Sequence, residues 1–353
     1  MYTLKEVVYV PAVPHKKRCL LAADIGGTNS NFGFFIKDDH KFVLLFSLHA
    51  KSQEVTNFVD LVRQVLEYAK NNYEITVKFS CFAAAGVVSH THDYCKPTNL
   101  HFAIKSQEIL AQTSLNCAII VNDFEIIGHG IQVINQDALV PINVGSPQLH
   151  AGRGIVGAGT GVGKCSLLWN VQEKRYLPLP SEGGHADFPA QEHLEYELIE
   201  FIRAQEQRSC NISWEDVLSG NGIKRIYRFF RARNGHEKVN EDIAKNGLHP
   251  DLIFKNRHLD NHCLNTYLLY QKFYARCAKD FALDALALGG LYIAGGIAAH
   301  NVELFKERAF MEEFINCGKQ QELLKHIPIF VITDYNVSLY GAAAYMVLEG
   351  LCD

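Results

Sequence analysis

A carboxylate precedes a glycine-rich turn near the start of the sequence. An apolar run reaches Asp24 and is followed by a group of small and polar residues: Gly26, Gly27, Thr28 and Asn29. Glycine lets a ligand approach the backbone closely, and successive N–H groups in such a turn form an anion-binding nest. Asp24 beside that nest is suited to hold Mg²⁺ against a phosphate, directly or through water. A plain hairpin turn with an Asx-type hydrogen bond remains the alternative.

A second glycine-rich stretch, GAGTGVGK, ends at Lys164. It does not match the GxxxxGK[ST] phosphate loop, because Ala158 stands where the first glycine belongs and Cys165 follows the lysine. It does not match a dinucleotide-binding turn, since the next segment, CSLLWN, is typical of a strand rather than a helix. The stretch therefore predicts another strand–turn–strand unit. Two such units in one chain favour a protein that binds a nucleotide phosphate chain from both sides.

Asn122 and Asp123 follow an apolar strand and precede a predicted helix. Ligand-contacting residues cluster at this position in α/β folds. A carboxylate there can accept the proton of a hydroxyl group whose oxygen attacks phosphorus. A helix cap made by Asp123 is the alternative interpretation.

A third polar group lies in the loop SEGGHADF, which contains Glu182, His185 and Asp187. The H-E-x-x-H spacing of a zinc helix is absent, and the glycines indicate a loop. Carboxylates accept hydrogen bonds from sugar hydroxyls, and histidine can donate or accept, so sugar recognition is the better interpretation. Glu215 offers another acid of this kind, although Ser213 as an N-cap also makes it a candidate for a solvated charge at a helix start.

These residues must be positioned by strands and helices, and the first part of the chain predicts the order β-β-β-α-β-α. The apolar patterns and the turns between them predict a mixed sheet with helices. The predicted strands are Arg18–Ile25, Asn31–Ile36, Phe42–His49, Ile75–Phe82 and Cys117–Val121, and the predicted helices are Val55–Asn72 and Phe124–Val133.

The second part begins with a similar pattern and continues with long helices. Strands are predicted within Arg153–Trp169 on either side of TGVG, and at Arg175–Leu179, Gly289–Ile293 and Ile327–Thr333; helices are predicted at Leu264–Leu288, Asn301–Asn316 and Ser338–Leu348, with a break near Gly220 and a polar loop at Asn234–Asn256. We predict two domains, 1–133 with 334–353 and 134–333, with a ligand cleft between them.

Composition excludes several classes of protein. The chain has 353 residues, of which 48% are apolar and 20% charged, and its net charge is −4, so no global field favours nucleic acid or an anionic membrane. The ten cysteines form no CxxC pair and no zinc spacing, which favours a reducing cytosol. The N-terminus lacks a secretory signal, and no apolar stretch approaches the ~20 residues of a membrane span. A cytoplasmic protein is expected.

The order of the motifs resembles that of bacterial-type glucokinases, which belong to the hexokinase, actin-like and Hsp70 superfamily. The resemblance covers about Leu20 to Leu348 and rests on DIGGTN, VNDF, GAGTGVG, SEGGHADF, a glutamate ahead of VLSG, and IAGGI. It is to the group without the zinc-binding cysteine cluster of the ROK sugar kinases. The resemblance implies an α/β, two-lobed actin-like ATPase fold of the ribonuclease H type, with a mixed sheet flanked by helices in each lobe.

The same resemblance implies ATP-dependent phosphorylation of glucose at its 6-hydroxyl group, with Mg²⁺ and typically as a homodimer. Asp123 matches the catalytic base, and Asp24 matches the residue near Mg²⁺. The implied glucose contacts are Asn122, Asp123, Glu182, His185 and Glu215. The implied nucleotide and phosphate contacts are Asp24, Gly26, Gly27, Thr28, Asn29, Gly159, Thr160, Gly161, Gly295 and Gly296.

Two departures from the family pattern concern the donor and the sugar. After GGTN the family usually has Ala-Arg, whereas Ser30 and Asn31 stand here, so a cation near the phosphates is missing. After the strand at Cys81 the family often has a proline-containing turn, whereas Ala83–Gly86 stands here. The donor and the range of sugars therefore stay open. A kinase for another hexose or amino sugar, and a non-catalytic sugar or nucleotide sensor, are the alternatives.

Overall fold

A computed structural model describes residues 1–11, 18–38, 41–233 and 240–351. Its strands are β1 (Lys5–Val8), β2 (Cys19–Ile25), β3 (Asn29–Asp38), β4 (Lys41–Lys51), β5 (Phe79–Ala84), β6 (Tyr94–Cys95), β7 (Ile104–Lys105), β8 (Cys117–Asn122), β9 (Leu139–Asn143), β10 (Arg153–Ala158), β11 (Val162–Asn170), β12 (Arg175–Ser181), β13 (Leu291–Ala294) and β14 (Ile329–Ile332).

The helices differ widely in length. They are α1 (Phe58–Tyr73), α2 (Ser106–Gln112), α3 (Asp123–Gly130), α4 (His193–Glu206), α5 (Trp214–Leu218), α6 (Gly220–Arg233), α7 (Glu241–Asn246), α8 (Pro250–Lys255), α9 (Asn261–Asp284), α10 (Gly296–His300), α11 (Glu303–Lys306), α12 (Arg308–Phe314), α13 (Gln321–His326) and α14 (Val337–Leu348). Short 3₁₀ segments lie at Ser52–Glu54, Gln136–Ala138, Gly183–His185 and Gly318–Gln320. Among the described residues, no helix is both long and apolar enough to cross a membrane.

The chain divides into two compact units. Unit 1 contains Met1–Ala138, Leu167–Pro180 and Asp334–Asp353, and unit 2 contains Leu139–Ser166 and Ser181–Thr333. Unlike the domains predicted from the sequence, unit 1 includes the distal part of the β11–β12 hairpin. The predicted domains themselves stay a prediction.

The sheet of unit 1 is mixed, in the strand order β1-β4-β3-β2-β5-β8. The β1–β4, β3–β4 and β2–β3 pairs are antiparallel, whereas β2–β5 and β5–β8 are parallel. Ile25, Ala84 and Asn122 are partners in register across the parallel strands. The carboxyl ends of β2 and β8 therefore lie at one edge of the sheet, where Asp24 and Asp123 are found.

Helices cover both faces of this sheet, and β2 is therefore a nearly continuous run of apolar residues. One face packs against α1, whose first backbone N–H groups are capped by the Asn57 side chain. The other face packs against α14, including Leu339 and Ala342. The small residues of α14 allow this helix to approach the strands closely.

The second sheet is also mixed, in the order β12-β11-β10-β13-β14-β9. The β10–β13 and β13–β14 pairs are parallel, and β9 pairs with β14 in the antiparallel direction. Helix α9 is a central element of the core of unit 2, as the prediction of one long, mostly buried helix indicated. Within it the Arg276 guanidinium, 1% exposed, lies 2.8 Å from the fully buried Glu195 carboxylate.

Two sequence predictions are wrong in detail. Asn301–Asn316 is not one helix, because Glu307 takes an extended conformation between α11 and α12 and its carboxylate accepts a hydrogen bond from Tyr267 at 2.8 Å. Of the polar loop predicted at 234–256, residues 234–239 lie outside the described residues, and the rest forms α7 and α8. Asn240 caps α7 and Pro250 stands at the first turn of α8, so both helices have ordinary start signals. Strands β1 and β9 and helix α2 were not predicted.

Candidate active site

The first glycine turn joins β2 to β3 and is held by hydrogen bonds to its carbonyl groups. The Gly26 N–H donates to the Asn29 carbonyl at 3.0 Å. The Ser52 hydroxyl donates to the Gly26 carbonyl and the Gln53 amide donates to the Gly27 carbonyl, both at 2.7 Å. The 3₁₀ segment that follows β4 thus fixes the turn, and the predicted hairpin is confirmed.

Asp24 stands one residue before the end of β2. Its carboxylate accepts a hydrogen bond from the Ser338 hydroxyl of α14 at 2.7 Å. Burial raises the pKa of Asp24, and the Ser338 hydrogen bond opposes that rise. The arrangement holds an acid in a weakly hydrated position next to the turn.

Asn31, which stands where the family usually has arginine, is part of a short hydrogen-bond chain. Its Oδ1 lies 2.7 Å from Nδ1 of His49, and His49 Nε2 lies 2.7 Å from the Ser47 hydroxyl. Since an amide oxygen only accepts, Nδ1 carries the proton and Nε2 accepts from Ser47. Burial lowers the pKa of His49, and the nearby Lys5 charge lowers it further. Asn31 is therefore bound to a neutral imidazole ring.

Asn122 and Asp123 mark the junction of β8 and α3. The Asn122 side chain accepts hydrogen bonds from the N–H groups of Phe124 and Glu125 at 2.9 and 3.1 Å, and it donates to the Gly86 carbonyl at 3.1 Å. The cap of α3 is thus Asn122, whereas the sequence had offered Asp123 for that role. An Asp123 oxygen also lies 3.0 Å from the Phe124 nitrogen.

Helix α3 is fixed by a close approach to α14. A Cβ atom added to Gly341 would overlap the Ile126 carbonyl, and one added to Gly130 would overlap the Val337 carbonyl. The two helices therefore pack backbone against backbone at these glycines, and α14 determines where the first turn of α3 holds Asp123.

The second glycine turn joins β10 to β11 and is bound by an acid from another element. The Gly159 N–H donates to the Gly161 carbonyl at 2.9 Å. The Val162 N–H donates to the Glu215 carboxylate at 3.0 Å, and a Cβ atom on Gly161 would lie 2.5 Å from the same carboxylate oxygen. Glu215 is half-buried, so it is not the solvated charge that the sequence left open.

Glu215 is positioned by the capping box of α5. Ser213 is the N-cap, and the Asp216 carboxylate accepts a hydrogen bond from the Ser213 N–H at 2.9 Å. Arg208 forms two hydrogen bonds with Asp216, at 2.6 and 3.1 Å. The helix start that carries Glu215 is therefore held in place by ion pairs beneath it.

The SEGGH loop packs on the same valine. A Cβ atom on Gly184 would overlap the Val162 carbonyl, which explains the glycine at that position. Glu182 and His185 are exposed on this loop, with 3.8 Å between His185 Nε2 and a Glu182 carboxylate oxygen. Val162 thus contacts both the loop that carries Glu182 and His185 and the Glu215 carboxylate.

Gly295 and Gly296 lie at the same edge of the second sheet. Ala294 pairs with Gly157 across β10 and β13, and Gly295 follows with a φ of +92°. A Cβ atom on Gly295 would lie 2.5 Å from the Ala158 carbonyl. Only glycine combines this φ with this close approach.

Two lysines near the turns were not predicted as functional residues. Lys51 ends β4, and its Nζ donates to the Asn29 side chain at 3.0 Å. Lys164, 5% exposed, lies in β11 just after the second turn, with its Nζ 5.9 Å from the Trp214 ring and 5.5 Å from the Phe281 ring. Lys51 carries no motif in the sequence, and Lys164 was considered only as part of a phosphate loop that its neighbours rule out.

Comparison with known proteins supports the resemblance to glucokinases that the motifs indicate. The glucokinase family model matches residues 21–349. A glucokinase from Nostoc punctiforme is 34% identical over 342 residues, which cover 92% of this chain and 97% of the relative.

Solved structures agree as well. The crystal structure of a glucokinase from an Antarctic psychrotroph has a TM-score of 0.75 to this chain at 27% sequence identity. The match covers 93% of this chain and 98% of the psychrotroph chain. A glucokinase from Balamuthia mandrillaris, solved with glucose, has a TM-score of 0.79 at 21% identity and covers 93% of each chain. These likenesses confirm the predicted α/β, actin-like ATPase fold.

Proposed function

The chain belongs to the glucokinase family, and we propose that it transfers the γ-phosphoryl group of ATP to the 6-hydroxyl group of glucose with Asp123 as the general base. The observation that carries this role for Asp123 is the register of β2, β5 and β8. That register sets Asp123 and the first glycine turn at one edge of the same sheet. A base and a phosphate-binding turn at one edge are what phosphoryl transfer to a hydroxyl requires.

The phosphate groups of ATP are assigned to the glycine turns. Asp24 fits a magnesium site, because Mg²⁺ in such sites is held by one or two carboxylates together with substrate phosphates. When bound, the ion would neutralise charge on those phosphates. No group of three or more potential metal ligands occurs in the described ranges, so Asp24 is the proposed protein ligand, directly or through water. The other proposed contacts are Gly26, Gly27, Thr28, Asn29, Gly159, Thr160, Gly161, Gly295 and Gly296.

Glucose is assigned to Asn122, Asp123, Glu182, His185 and Glu215. Glu215 uses one carboxylate oxygen for the Val162 N–H, which leaves the other for a sugar hydroxyl. Asn122 uses its oxygen as the cap of α3 and one amide hydrogen for Gly86, which leaves the second amide hydrogen as a donor.

Asp123 performs the proton transfer in this mechanism. The 6-hydroxyl oxygen attacks the γ-phosphorus, the bond between that phosphorus and the bridging oxygen breaks, and ADP leaves. The hydroxyl proton passes to the Asp123 carboxylate. The α3–α14 packing holds that carboxylate at its position, so the protein supplies orientation as well as a base.

Asp123→Asn tests this role while preserving the shape of the side chain. We expect kcat to fall by roughly 10²- to 10⁴-fold, the usual contribution of a general base. Asp60→Asn is the matched control, because Asp60 also stands in the first turn of an Asn-capped helix but is exposed on α1. An Asp123→Asn enzyme that phosphorylates glucose at the wild-type rate would contradict the assignment.

A coupled assay of ADP release with a set of hexoses decides between the alternatives. Preference for a 2-acetamido sugar over glucose would identify an amino-sugar kinase. Tight glucose binding without any turnover would identify a sensor. The same assay with polyphosphate in place of ATP tests the phosphoryl donor.

The homodimer and the cytoplasmic location implied by the family resemblance are further proposals. Light scattering on the purified protein should give twice the mass of one chain. Cell fractionation should recover the protein with the cytosolic enzymes. A monomer, or recovery with membranes, would contradict them.

A further inference from the structure

A lysine reaches the first glycine turn from the neighbouring strand. Asn29 and Lys51 are partners in register across β3 and β4, and the Lys51 ammonium donates to the Asn29 side-chain oxygen at 3.0 Å. The next two residues, Ser52 and Gln53, bind carbonyl groups of the turn. Three consecutive residues at the end of β4 therefore contact this turn, and one of them is a cation.

The partner that the structure gives the Lys51 ammonium group is an uncharged side chain. Asn29 is an uncharged amide, and within the described part of the chain Lys51 forms no ion pair with a carboxylate. The side chain is exposed, so its ammonium group has room to move. An ammonium group has three donors, and the hydrogen bond to Asn29 uses one of them.

The next residue pair on this face of β3 and β4, Asn31 and His49, does not supply a positive charge. Asn31 is uncharged, and its oxygen is occupied by His49. His49 is kept neutral by burial and by the Lys5 charge. Lys51 is therefore the cation that the described contacts place at the first turn itself.

We propose that Lys51 is a binding residue for the phosphate groups of ATP at the first turn. A flexible, exposed lysine acts on phosphate as a mobile point charge, unlike an arginine fork. The hydrogen bond to Asn29 holds the Lys51 ammonium group at one end of the first turn. The other residues of this turn are assigned to the same phosphates. The proposal rests on the proposed function and adds a residue to the ATP site.

The strand that carries Lys51 also provides a matched control. Lys41 begins β4 and is likewise exposed, but it lies ten residues away, or roughly 33 Å along an extended strand. Lys51→Gln and Lys41→Gln make the same change of charge on the same strand. We expect Lys51→Gln to raise KM for ATP on the order of tenfold at low ionic strength, with KM for glucose changed much less, and Lys41→Gln to leave both values unchanged.

Salt dependence separates a charge effect from a loss of local structure. The difference between wild type and Lys51→Gln should shrink as ionic strength rises, since exposed charges are screened over about 8 Å at 0.15 M salt. Lys51→Arg, which keeps the charge, should recover most of the affinity for ATP. An equal rise in KM for ATP in both glutamine variants, or a rise in Lys51→Gln that neither salt nor arginine alters, would overturn the proposal.

Calorimetric titration of the protein with ATP, in the absence of glucose, measures ATP binding independently of the proposed reaction. A wild-type protein that binds ATP but does not phosphorylate glucose would contradict the glucokinase reaction. The Lys51 proposal would still be decided by the ratio of ATP dissociation constants in the wild type and Lys51→Gln. An unchanged dissociation constant in Lys51→Gln would contradict the Lys51 proposal alone.

Discussion

The two glycine turns share a strand–turn–strand plan but obtain their charged groups differently. In the first turn the acid is Asp24, within the entering strand, and the cation is the exposed Lys51 on a neighbouring strand. In the second turn the acid is Glu215, which arrives from a separate helix, and the cation is the buried Lys164.

This difference indicates a division of roles. The donors from Ser52 and Gln53 fix the first turn through its carbonyl groups, a structure suited to a metal-bound phosphate. The second turn is bound to the SEGGH loop and to α5 through both polar groups of Val162, namely its N–H to Glu215 and its carbonyl against Gly184. A change in the second turn must therefore reach the residues that we propose to bind the sugar, whereas a change in the first need not.

Gly161→Ala should give the largest effect in testing this division. The added methyl group would lie 2.5 Å from the Glu215 carboxylate, so the carboxylate must move and its hydrogen bond to Val162 must weaken. We expect kcat/KM for glucose to fall on the order of a hundredfold, as for the loss of a hydrogen bond to a charged group. Steady-state kinetics with glucose as the varied substrate measures this.

Gly159→Ala, in the same turn, provides the comparison. An added Cβ atom there meets no atom within 4 Å. It should lower kcat/KM for glucose clearly less than Gly161→Ala does. Equal effects would mean that the turn as a whole, rather than its link to Glu215, determines sugar binding.

Lys164→Met should give an intermediate effect. Lys164 lies over the Trp214 ring next to Glu215, and its side chain would lie 3.0 Å from a Cβ atom on Gly183 in the SEGGH loop. Loss of a desolvated cation–π contact should raise KM for glucose on the order of tenfold. Because the Asp280 carboxyl group also loses a neighbouring positive charge in this variant, the thermal unfolding temperature should fall as well, and KM is measured below that temperature.

Lys279→Met is the control for a buried lysine. Lys279 is also 5% exposed, but its ammonium donates to the Asn316 carbonyl at 3.2 Å, away from the residues assigned to glucose. It should leave KM for glucose unchanged. Equal increases in KM for glucose in Lys164→Met and Lys279→Met would show that Lys164 contributes only to packing of the core.

Asp24→Asn should give the smallest effect on KM for glucose, and it also tests how the Asp24 carboxyl group contributes to stability. Burial raises the pKa of Asp24 above its ordinary value of 3.8, so the native state favours the protonated carboxyl group. This stabilising contribution is complete below pH 3.8 and is lost as the pH rises through the raised value in the folded protein. Ionisation of the Asp24 carboxyl group therefore reduces the free energy of unfolding.

Asparagine remains neutral and can still accept the Ser338 hydrogen bond. We expect Asp24→Asn to unfold at a higher temperature than wild type at neutral pH, with a difference that decreases as the pH approaches 3.8. Thermal unfolding followed by circular dichroism over this range measures the difference. A variant less stable than wild type at neutral pH would show that the carboxylate stabilises the fold in its ionised form.

The sequence predicted most of the sheet framework because its signals are local. The β2–β3 and β3–β4 hairpins, the strands around the second turn and the long helix α9 all follow from apolar runs and turn residues. Within each unit the ordered motifs also lie where such patterns predict, at strand ends beside the glycine turns. The role of each residue in catalysis stays a prediction.

Other features depend on partners distant in the sequence and could not be predicted. The hydrogen bond between Glu215 and Val162 joins residues 53 positions apart, and nothing in either segment indicates it. Lys51 is one of many lysines, and it differs from the others through its pairing with Asn29. Strand β9 and the break at Glu307 likewise depend on tertiary contacts, with β14 and with Tyr267.

The close packing of α3 on α14 bears on when the protein becomes active during synthesis. A ribosome-bound chain that has emerged only to residue 336 already contains Asp123, both glycine turns and the SEGGH loop. It lacks the twelve-residue α14, the helix that contacts α3 at two glycines and donates the Ser338 hydroxyl to Asp24. Translation must therefore pass this helix before unit 1 can hold either acid in place, so a prematurely terminated chain carries the motifs without an assembled site.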